Sequence, residues 1–330
     1  MKLCTKCVLP ETFPGIKFDE QGVCQYCRTV KSVDTLSEDK ERYRKKFEDF
    51  LAENTGKSEY DALVGYSGGK DSSYVLYLLK KVYGLKVLAV TLDNGFLPDR
   101  TMKNIALLTD TLSVDHVFIR PPFELLKKIF QGSYKKNIFS AKTLTRAAPM
   151  CTACIAFSKF GTLRIAIDKG IPMVAYGWSP GQIPLASSFH KNKASMLRTT
   201  NKVLQEPLQD LAGHEIDPYF LEQRHLENDN ALPYNVSPLA FLEYDETKIR
   251  AILAQFGWKA PQEVDANTTN CLLNALAITR HEELYRFHPY AFELAKLVRE
   301  GAMGREEALE KLNEAPSPAV VELVKEKLGL

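Results

Sequence analysis

The sequence predicts an α/β protein: a doubly wound parallel sheet, preceded by a small cysteine knuckle and followed by a helical region. Three observations point that way. Short apolar runs bounded by turn residues, at 62–66, 86–92, 115–119 and 172–176, alternate with longer stretches of helical period, as in successive βα units. Two Cys-x-x-Cys pairs fall within the first 27 residues, in a stretch too poor in apolar side chains to fold unaided. From about Pro238 onward only helical periodicity continues. The chain thus divides into a knuckle (1–32), a linker helix (33–57), the sheet domain (58–237) and the helical C-terminal region (238–330).

Composition narrows the function classes. The 43 Lys and Arg nearly balance 41 Asp and Glu, a formal net charge of +2, so the molecule is no general polyanion binder. Basic stretches around Lys127–Arg146 and Lys191–Lys202 read as solvated surface. No apolar run approaches the length of a membrane span and the N-terminus carries no apolar signal core, so a cytoplasmic protein without a membrane partner is expected.

In a reducing compartment the seven cysteines are expected to serve metals or chemistry rather than disulfides. Cys4-x-x-Cys7 and Cys24-x-x-Cys27, with 16 residues between them, can set four thiolates tetrahedrally around one ion. Structural zinc (Zn2+) is expected there, supplying stability that the turns at Pro10, Pro14, Gly15 and Gly22 lack. A rubredoxin-type iron would use the same four sulfurs. Residues 34–54 then read as a charged helix with Tyr43, Phe47, Phe50 and Leu51 on one side and Ser37 as its cap.

The densest signal lies at 60–72. Ala62, Leu63, Val64 and Tyr66 read as a buried strand, Ser67-Gly68-Gly69-Lys70-Asp71-Ser72 breaks it, and Tyr74, Val75, Leu78, Leu79 and Val82 recur at helical spacing. Strand, glycine turn and helix start together make an anion site. The glycines admit backbone N–H groups to a phosphate, and the helix dipole favours negative charge. Ser67 and Ser72 add hydroxyl donors, and Lys70 adds a positive charge. The Gly-to-Gly-Lys spacing is too short for a Walker loop. The six residues resemble instead the pyrophosphate loop of the PP-loop (N-type) ATP pyrophosphatases, of adenine nucleotide alpha hydrolase-like fold. That resemblance implies cleavage of ATP between its α- and β-phosphates, adenylation of a substrate oxygen, and displacement of AMP by sulfur or nitrogen. It implies ATP and Mg2+ as cofactors, with Lys70 and Asp71 catalytic. The nucleotide site is expected to comprise Tyr66, Ser67, Gly68, Gly69, Lys70, Asp71, Ser72, Asp93 and Gly177.

Asp93 and Gly177 enter that set because they end the strands at 86–92 and 172–176, on the same carboxyl edge as Ser67. Asp93 reads either as a ribose or metal contact or as a turn former. Cys151-Thr152-Ala153-Cys154 opens a helix, a position that biases a thiol towards thiolate. Residues 185–232 show weak periodicity and read as a mobile substrate loop or an irregular connection. Helices follow at 245–256, 272–284, 289–300, 305–313 and 318–328, with Gly301 as a C-cap and Ser317-Pro318 as N-cap and first turn. Cys271 follows the polar turn Thr268-Thr269-Asn270.

Cys151, Cys154 and Cys271 read as three unrelated buried thiols, as a persulfide pair resolved through a disulfide, or as ligands of a 4Fe–4S cluster with one iron left open. In its central Cys-x-x-Cys and later third cysteine the chain is similar to the iron–sulfur PP-loop tRNA thiolases, which are sulfurtransferases. The stretch from Cys4 to Cys27 and the Arg305-Glu306-Glu307-Ala308 helix resemble the N-acetyl sugar amidotransferases of surface-polysaccharide synthesis, which take ammonia from a glutaminase partner. The expected function is ATP-dependent adenylation and thiolation of an acceptor, tRNA or a small metabolite, with Cys151, Cys154 and Cys271 catalytic and a separate sulfur donor as partner. The alternative is the sugar amidotransferase. A zinc-ribbon binding module with a decayed nucleotide fold is disfavoured by the intact Lys70 and Asp71. A homodimer is compatible with each.

Overall fold

The structure, a computed structural model, describes residues 2–264 and 270–330. Its sheet contains β1 (Ala62–Gly65), β2 (Val87–Leu92), β3 (Asp115–Ile119), β4 (Met173–Tyr176), β5 (Phe189–Lys191) and β6 (Tyr234–Val236), in the order β3-β2-β1-β4-β6-β5. All pairings are parallel except that of the edge strand β5 with β6, which makes the sheet mixed at that edge. The chain enters at β1, winds out through β2 to β3, then returns to lay β4 on the other side of β1. That reversal makes the carboxyl ends of β1 and β4 the switch point where such sheets bind ligands. β1 and β4 read as unbroken apolar runs because helices cover both their faces.

The short α1 (Gln25–Arg28) closes the knuckle and α2 (Val33–Asn54) links it to the sheet. α3 (Lys70–Tyr77) and α4 (Asp99–Leu112) follow β1 and β2; α5 (Phe123–Lys135), α6 (Ala141–Leu144) and α7 (Pro149–Asp168) lie between β3 and β4. α8 (Ala194–Ala212) lies between β5 and β6, and α9 (Glu246–Gln255), α10 (Leu273–Tyr285), α11 (Ala291–Arg299), α12 (Arg305–Asn313) and α13 (Pro318–Leu328) complete the chain. One sheet face packs on α5, α7, α8, α10 and α13 through residues such as Phe130, Phe157, Phe160, Leu276 and Val324. The other packs on α2, α3, α4 and α9 through Phe47, Val75, Ile105 and Leu253.

Several expectations are corrected. Residues 185–232 are no irregular connection: they hold β5 and the 19-residue α8, whose buried side mixes Leu197 and Leu208 with Asn201 and whose interior contains Pro207. A polar buried residue and a proline hide a helical period. Ser32, rather than Ser37, caps α2, its hydroxyl accepting from the Thr35 N–H. α3 runs into a π-helical turn, Leu78–Val82, and Val82 is 57% exposed: the wider turn rotates it off the apolar side. By length and composition α7 is apolar enough to cross a membrane, contrary to the expectation of no such run. Within the fold 56% of that apolar window is buried, because α7 lies against the sheet. Thr268 and Thr269 lie outside the described residues.

Candidate nucleotide and thiol site

The loop after β1 has the backbone an anion needs. Gly68 takes φ +76°, and a Cβ there would lie 2.7 Å from Ile105 Cγ1 and 2.8 Å from Thr101 Cγ2, so conformation and space both demand glycine. Gly69 is the N-cap of α3, which leaves the first N–H groups of that helix without carbonyl partners of their own helix. The Ser67 and Ser72 hydroxyls lie 3.0 Å apart, and Ser72 Oγ accepts from the Ser67 N–H at 3.2 Å. From outside, Trp258 Nε1 donates to the Gly68 carbonyl at 3.0 Å and Asn270 Nδ2 to the Ser67 carbonyl at 3.2 Å. Gly177 meets the loop by backbone: a Cβ there would lie 2.5 Å from Ser72 N and 2.6 Å from Ser72 Cα.

Lys70 is drawn into a buried polar cluster. Its ammonium donates to Asp71 Oδ2 at 2.8 Å and to the Tyr244 hydroxyl at 3.3 Å, and lies 3.7 Å from Glu246 Oε2. Tyr244 in turn donates to Asp71 Oδ1 at 3.2 Å. Burial alone would lower the Lys70 pKa; the Asp71 and Glu246 carboxylates outweigh it and keep the ammonium charged. Burial likewise pushes Glu246 up, but Lys70, Lys311 and Arg250 hold it down to about 2. Glu293 is the exception. Burial raises its carboxyl to about 7 even though Ser179 Oγ donates to it at 2.7 Å.

Two residues of the expected nucleotide set lie differently from the loop. The Tyr66 side chain is 1% exposed and faces the core, where its hydroxyl approaches the Asn104 carbonyl at 3.4 Å and Ser73. Asp93 forms a turn, accepting from the Gly95 N–H at 2.9 Å, and its other oxygen pairs with Arg120 at 2.8 Å. Tyr244, Glu246, Trp258, Glu293 and Lys311 were missed by sequence reasoning. Tyr244, Glu246 and Trp258 reach the loop from more than 170 residues away, Lys311 meets Glu246 and Glu293 meets Ser179, and no local spacing connects any of them to it.

Two of the second set of cysteines, Cys154 and Cys271, meet just beyond the end of β2, and Cys151 lies against α10. Asn94, 5% exposed, directs its Nδ2 at Cys154 Sγ and Cys271 Sγ, 3.4 Å from each. Cys151 Sγ donates to Asn274 Oδ1 at 3.3 Å, one helical turn beyond Cys271. Asn94 and Asn274 are further residues that the sequence did not flag. The thiols are not packed as tightly as a mononuclear site requires: among the described residues the group with all ligand atoms within 4.8 Å of one another is Cys4, Cys7, Cys24 and Cys27. Burial and the neighbouring Cys271 push the Cys154 thiol up to about 12, so the expected thiolate bias of a helix start is overridden there.

In the knuckle, Cys4 and Cys27 sulfurs lie 3.8 Å apart and Cys7 and Cys24 sulfurs 3.7 Å. The edge of a tetrahedron of sulfurs about 2.3 Å from a zinc is about 3.8 Å, so the four fit that ion. Burial acts to raise Cys4, but backbone N–H donors, including Cys24 at 3.2 Å, bring it down to about 7; burial and the neighbouring sulfurs drive Cys7 up to about 11. The knuckle docks on the C-terminal helices. Arg305 donates to the carbonyls of Cys7 at 3.2 Å and Cys4 at 3.3 Å, and Phe13 stacks on Phe292 with ring centroids 5.4 Å apart.

The Ser-Gly-Gly-Lys-Asp-Ser loop thus leads from β1, inside a β3-β2-β1-β4 sheet, into the start of α3, the strand–loop–helix setting expected of a phosphate loop. No family model matches the chain. It is 22% identical over 318 residues to an uncharacterised protein of Methanocaldococcus jannaschii, covering 96% of this chain and 94% of that one. It is 35% identical over 69 residues to the glutamine-hydrolysing GMP synthase of Pyrobaculum aerophilum, covering 21% of this chain and 14% of that one. Among solved structures it is similar to a U34-tRNA thiolase from Methanococcus maripaludis with its 4Fe–4S cluster (TM-score 0.38, 14% identity, 100% of this chain and 89% of that one). It is also similar to an NMN synthetase from Francisella tularensis (TM-score 0.38, 14% identity, 91% of this chain and 97% of that one).

Proposed function

We propose that the chain is an ATP pyrophosphatase that adenylates an acceptor oxygen and replaces it with sulfur. The observation that carries this reading is the single Asn94 amide shared by Cys154 and Cys271 at the end of β2, beside the strand that feeds the phosphate loop. Asn270, next to Cys271, is itself hydrogen-bonded to the Ser67 carbonyl. The α3 N–H groups, Ser67, Ser72 and Lys70 hold the β,γ-phosphates, with Asp71 towards the magnesium. Lys70 must then exchange Tyr244 and Glu246 for phosphate oxygen. The acceptor oxygen attacks the α-phosphorus and pyrophosphate leaves; a sulfur nucleophile then takes the activated carbon and AMP leaves with the oxygen. Cys151, Cys154 and Cys271 would hold a 4Fe–4S cluster, which when bound supplies an iron open to an inorganic sulfide. The enzyme would work in the cytoplasm on tRNA or a small metabolite, with a sulfur donor as partner. Anaerobic purification tests this directly. Iron and visible charge-transfer absorbance are expected, lost on replacing any one of the three cysteines by alanine while ATP binding persists. Protein that holds no iron after anaerobic reconstitution would remove the sulfur reading.

A second reading, the sugar amidotransferase fed with ammonia by a glutaminase, is favoured by one contact. Arg305, which opens the Arg305-Glu306-Glu307-Ala308 helix, is bonded to the Cys4 and Cys7 carbonyls, joining the two stretches that carry that resemblance. Ammonia-dependent AMP release by iron-free protein is its signature.

A further inference from the structure

The carboxylate of Glu246 is the meeting point of three cations. It stands in the first turn of α9, where the helix dipole favours a negative charge. Its Oε1 accepts from Arg250, one turn further along α9, at 2.7 and 3.0 Å. Its Oε2 accepts from Lys311 of α12 at 3.1 Å and lies 3.7 Å from the ammonium of Lys70 at the start of α3. Arg250 also lies 6.0 Å from the ring centroid of Trp258, whose Nε1 donates to the Gly68 carbonyl, so the carboxylate is braced against the loop that it faces. The side chains of Lys70, Lys311 and Glu246 are only 11%, 17% and 19% exposed, a setting in which a charge left alone is costly.

The three pairs are unequal. Arg250 and Lys311 touch the carboxylate at hydrogen-bond distance, whereas the nearer partners of Lys70 include Asp71 Oδ2 at 2.8 Å and the Tyr244 hydroxyl at 3.3 Å. When Lys70 turns to a phosphate, Glu246 keeps two cations and Asp71 keeps the hydrogen bond donated by Tyr244. Neither carboxylate is stranded. We propose that Glu246 is a positioning residue for Lys70: it draws the ammonium to the α9 side of the loop and yields it to the phosphates of ATP to the extent that Lys311 and Arg250 satisfy its charge. Lys311, on α12 and outside the loop, thereby sets how tightly ATP is held. The proposal rests on the reading of residues 67–72 as a phosphate loop and on nothing about sulfur or ammonia. A plain electrostatic field would act on ATP whatever residue stands at position 70; exchange of Lys70 makes the effects of Glu246 and Lys311 depend on it.

Titration calorimetry of the full chain with Mg2+ and α,β-methylene-ATP, whose bridging carbon resists cleavage, is the test. Lys70→Ala is expected to weaken binding about tenfold. Lys311→Met is expected to weaken it about tenfold and Glu246→Gln to tighten it about threefold, opposite signs within one cluster. Lys311→Arg, which keeps the cation, is expected to recover most of the loss. In a Lys70→Ala background both changes are expected to vanish. The proposal is overturned if Lys311→Met and Glu246→Gln move affinity in the same direction, leave it unchanged, or change it equally with and without Lys70. Where Glu246→Gln does not fold, Lys311→Met in the two backgrounds decides by the same comparison. Failure of the phosphate-loop reading looks different. Wild-type protein that binds no α,β-methylene-ATP, or Lys70→Ala protein that binds it as the wild type does, removes that reading and this proposal together.

Discussion

At the scale of single residues, the loop side chains and the buried acid beside them make opposite predictions. Ser67 and Asp71 sit at the mouth of a turn whose backbone is pinned by Trp258 and Asn270, so removing either side chain leaves the fold in place. Ser67→Ala or Asp71→Ala is expected to abolish formation of AMP and pyrophosphate from labelled ATP, a loss of ~3 kcal/mol or more in transition-state binding, with unchanged circular dichroism. Chromatography that finds ADP and orthophosphate would exclude the PP-loop chemistry altogether. Glu293 acts on stability. Its folded pKa of about 7 lies above the ordinary glutamate value of 4.5, so between those values the folded protein holds a proton that the unfolded chain has shed. Stability therefore falls as pH rises through that window and levels off above it. Glu293→Gln, which still accepts from Ser179, is expected to flatten the profile between pH 5 and 8 by on the order of 2 kcal/mol, allowing for partial solvent contact. Urea titrations across that range check it, and a variant as pH-sensitive as the wild type would refute it.

At the scale of elements, the site depends on how closely β4 meets α3. The end of β4 lies so near the first turn of α3 that a methyl group at residue 177 would overlap backbone atoms of Ser72 and Asp71, which cannot rotate away. Gly177→Ala is expected to destabilise the protein by ~2 kcal/mol or more and to weaken ATP binding, because relief comes only by shifting the helix start that presents its N–H groups. Denaturant unfolding and nucleotide titration measure the two effects; full stability with normal ATP binding would contradict the packing described. The π-helical turn at Leu78–Val82 lies beyond this contact, so it does not disturb the helix start.

At the scale of the molecule, the knuckle and the C-terminal helices share a core. Cys4, Cys7, Leu9 and Phe13 are buried together with Phe287, Leu294, Leu297 and Ala308. Loss of the expected zinc should therefore loosen α11 and α12 as well as the knuckle. Cys24→Ser, or chelation of the ion, is expected to lower Tm by on the order of 5–10 °C. ATP affinity at the β1 loop is expected to change less. Metal analysis and thermal melts check this, and a fully stable but inactive Cys24→Ser protein would assign the knuckle to the chemistry instead.

The sequence by itself determined what short-range rules govern. The first four strands, the glycine turn between β1 and α3, the pairing of Cys4 and Cys7 with Cys24 and Cys27, and the five C-terminal helices follow from periodicity, turn residues and spacing within a few positions, whereas β5 and β6 were not marked. α8 escaped because Asn201 and Pro207 interrupt its apolar period while tertiary contacts still hold it. Only the tertiary structure decided that Tyr244 and Glu246 enclose Lys70, that Asn94 joins Cys154 to Cys271, and that Arg299 and Arg305 fasten the knuckle to the far end of the chain. Those contacts span about 60 to 300 residues. They are fixed by how two helical layers close over one sheet, a packing outcome to which no single stretch of sequence is committed.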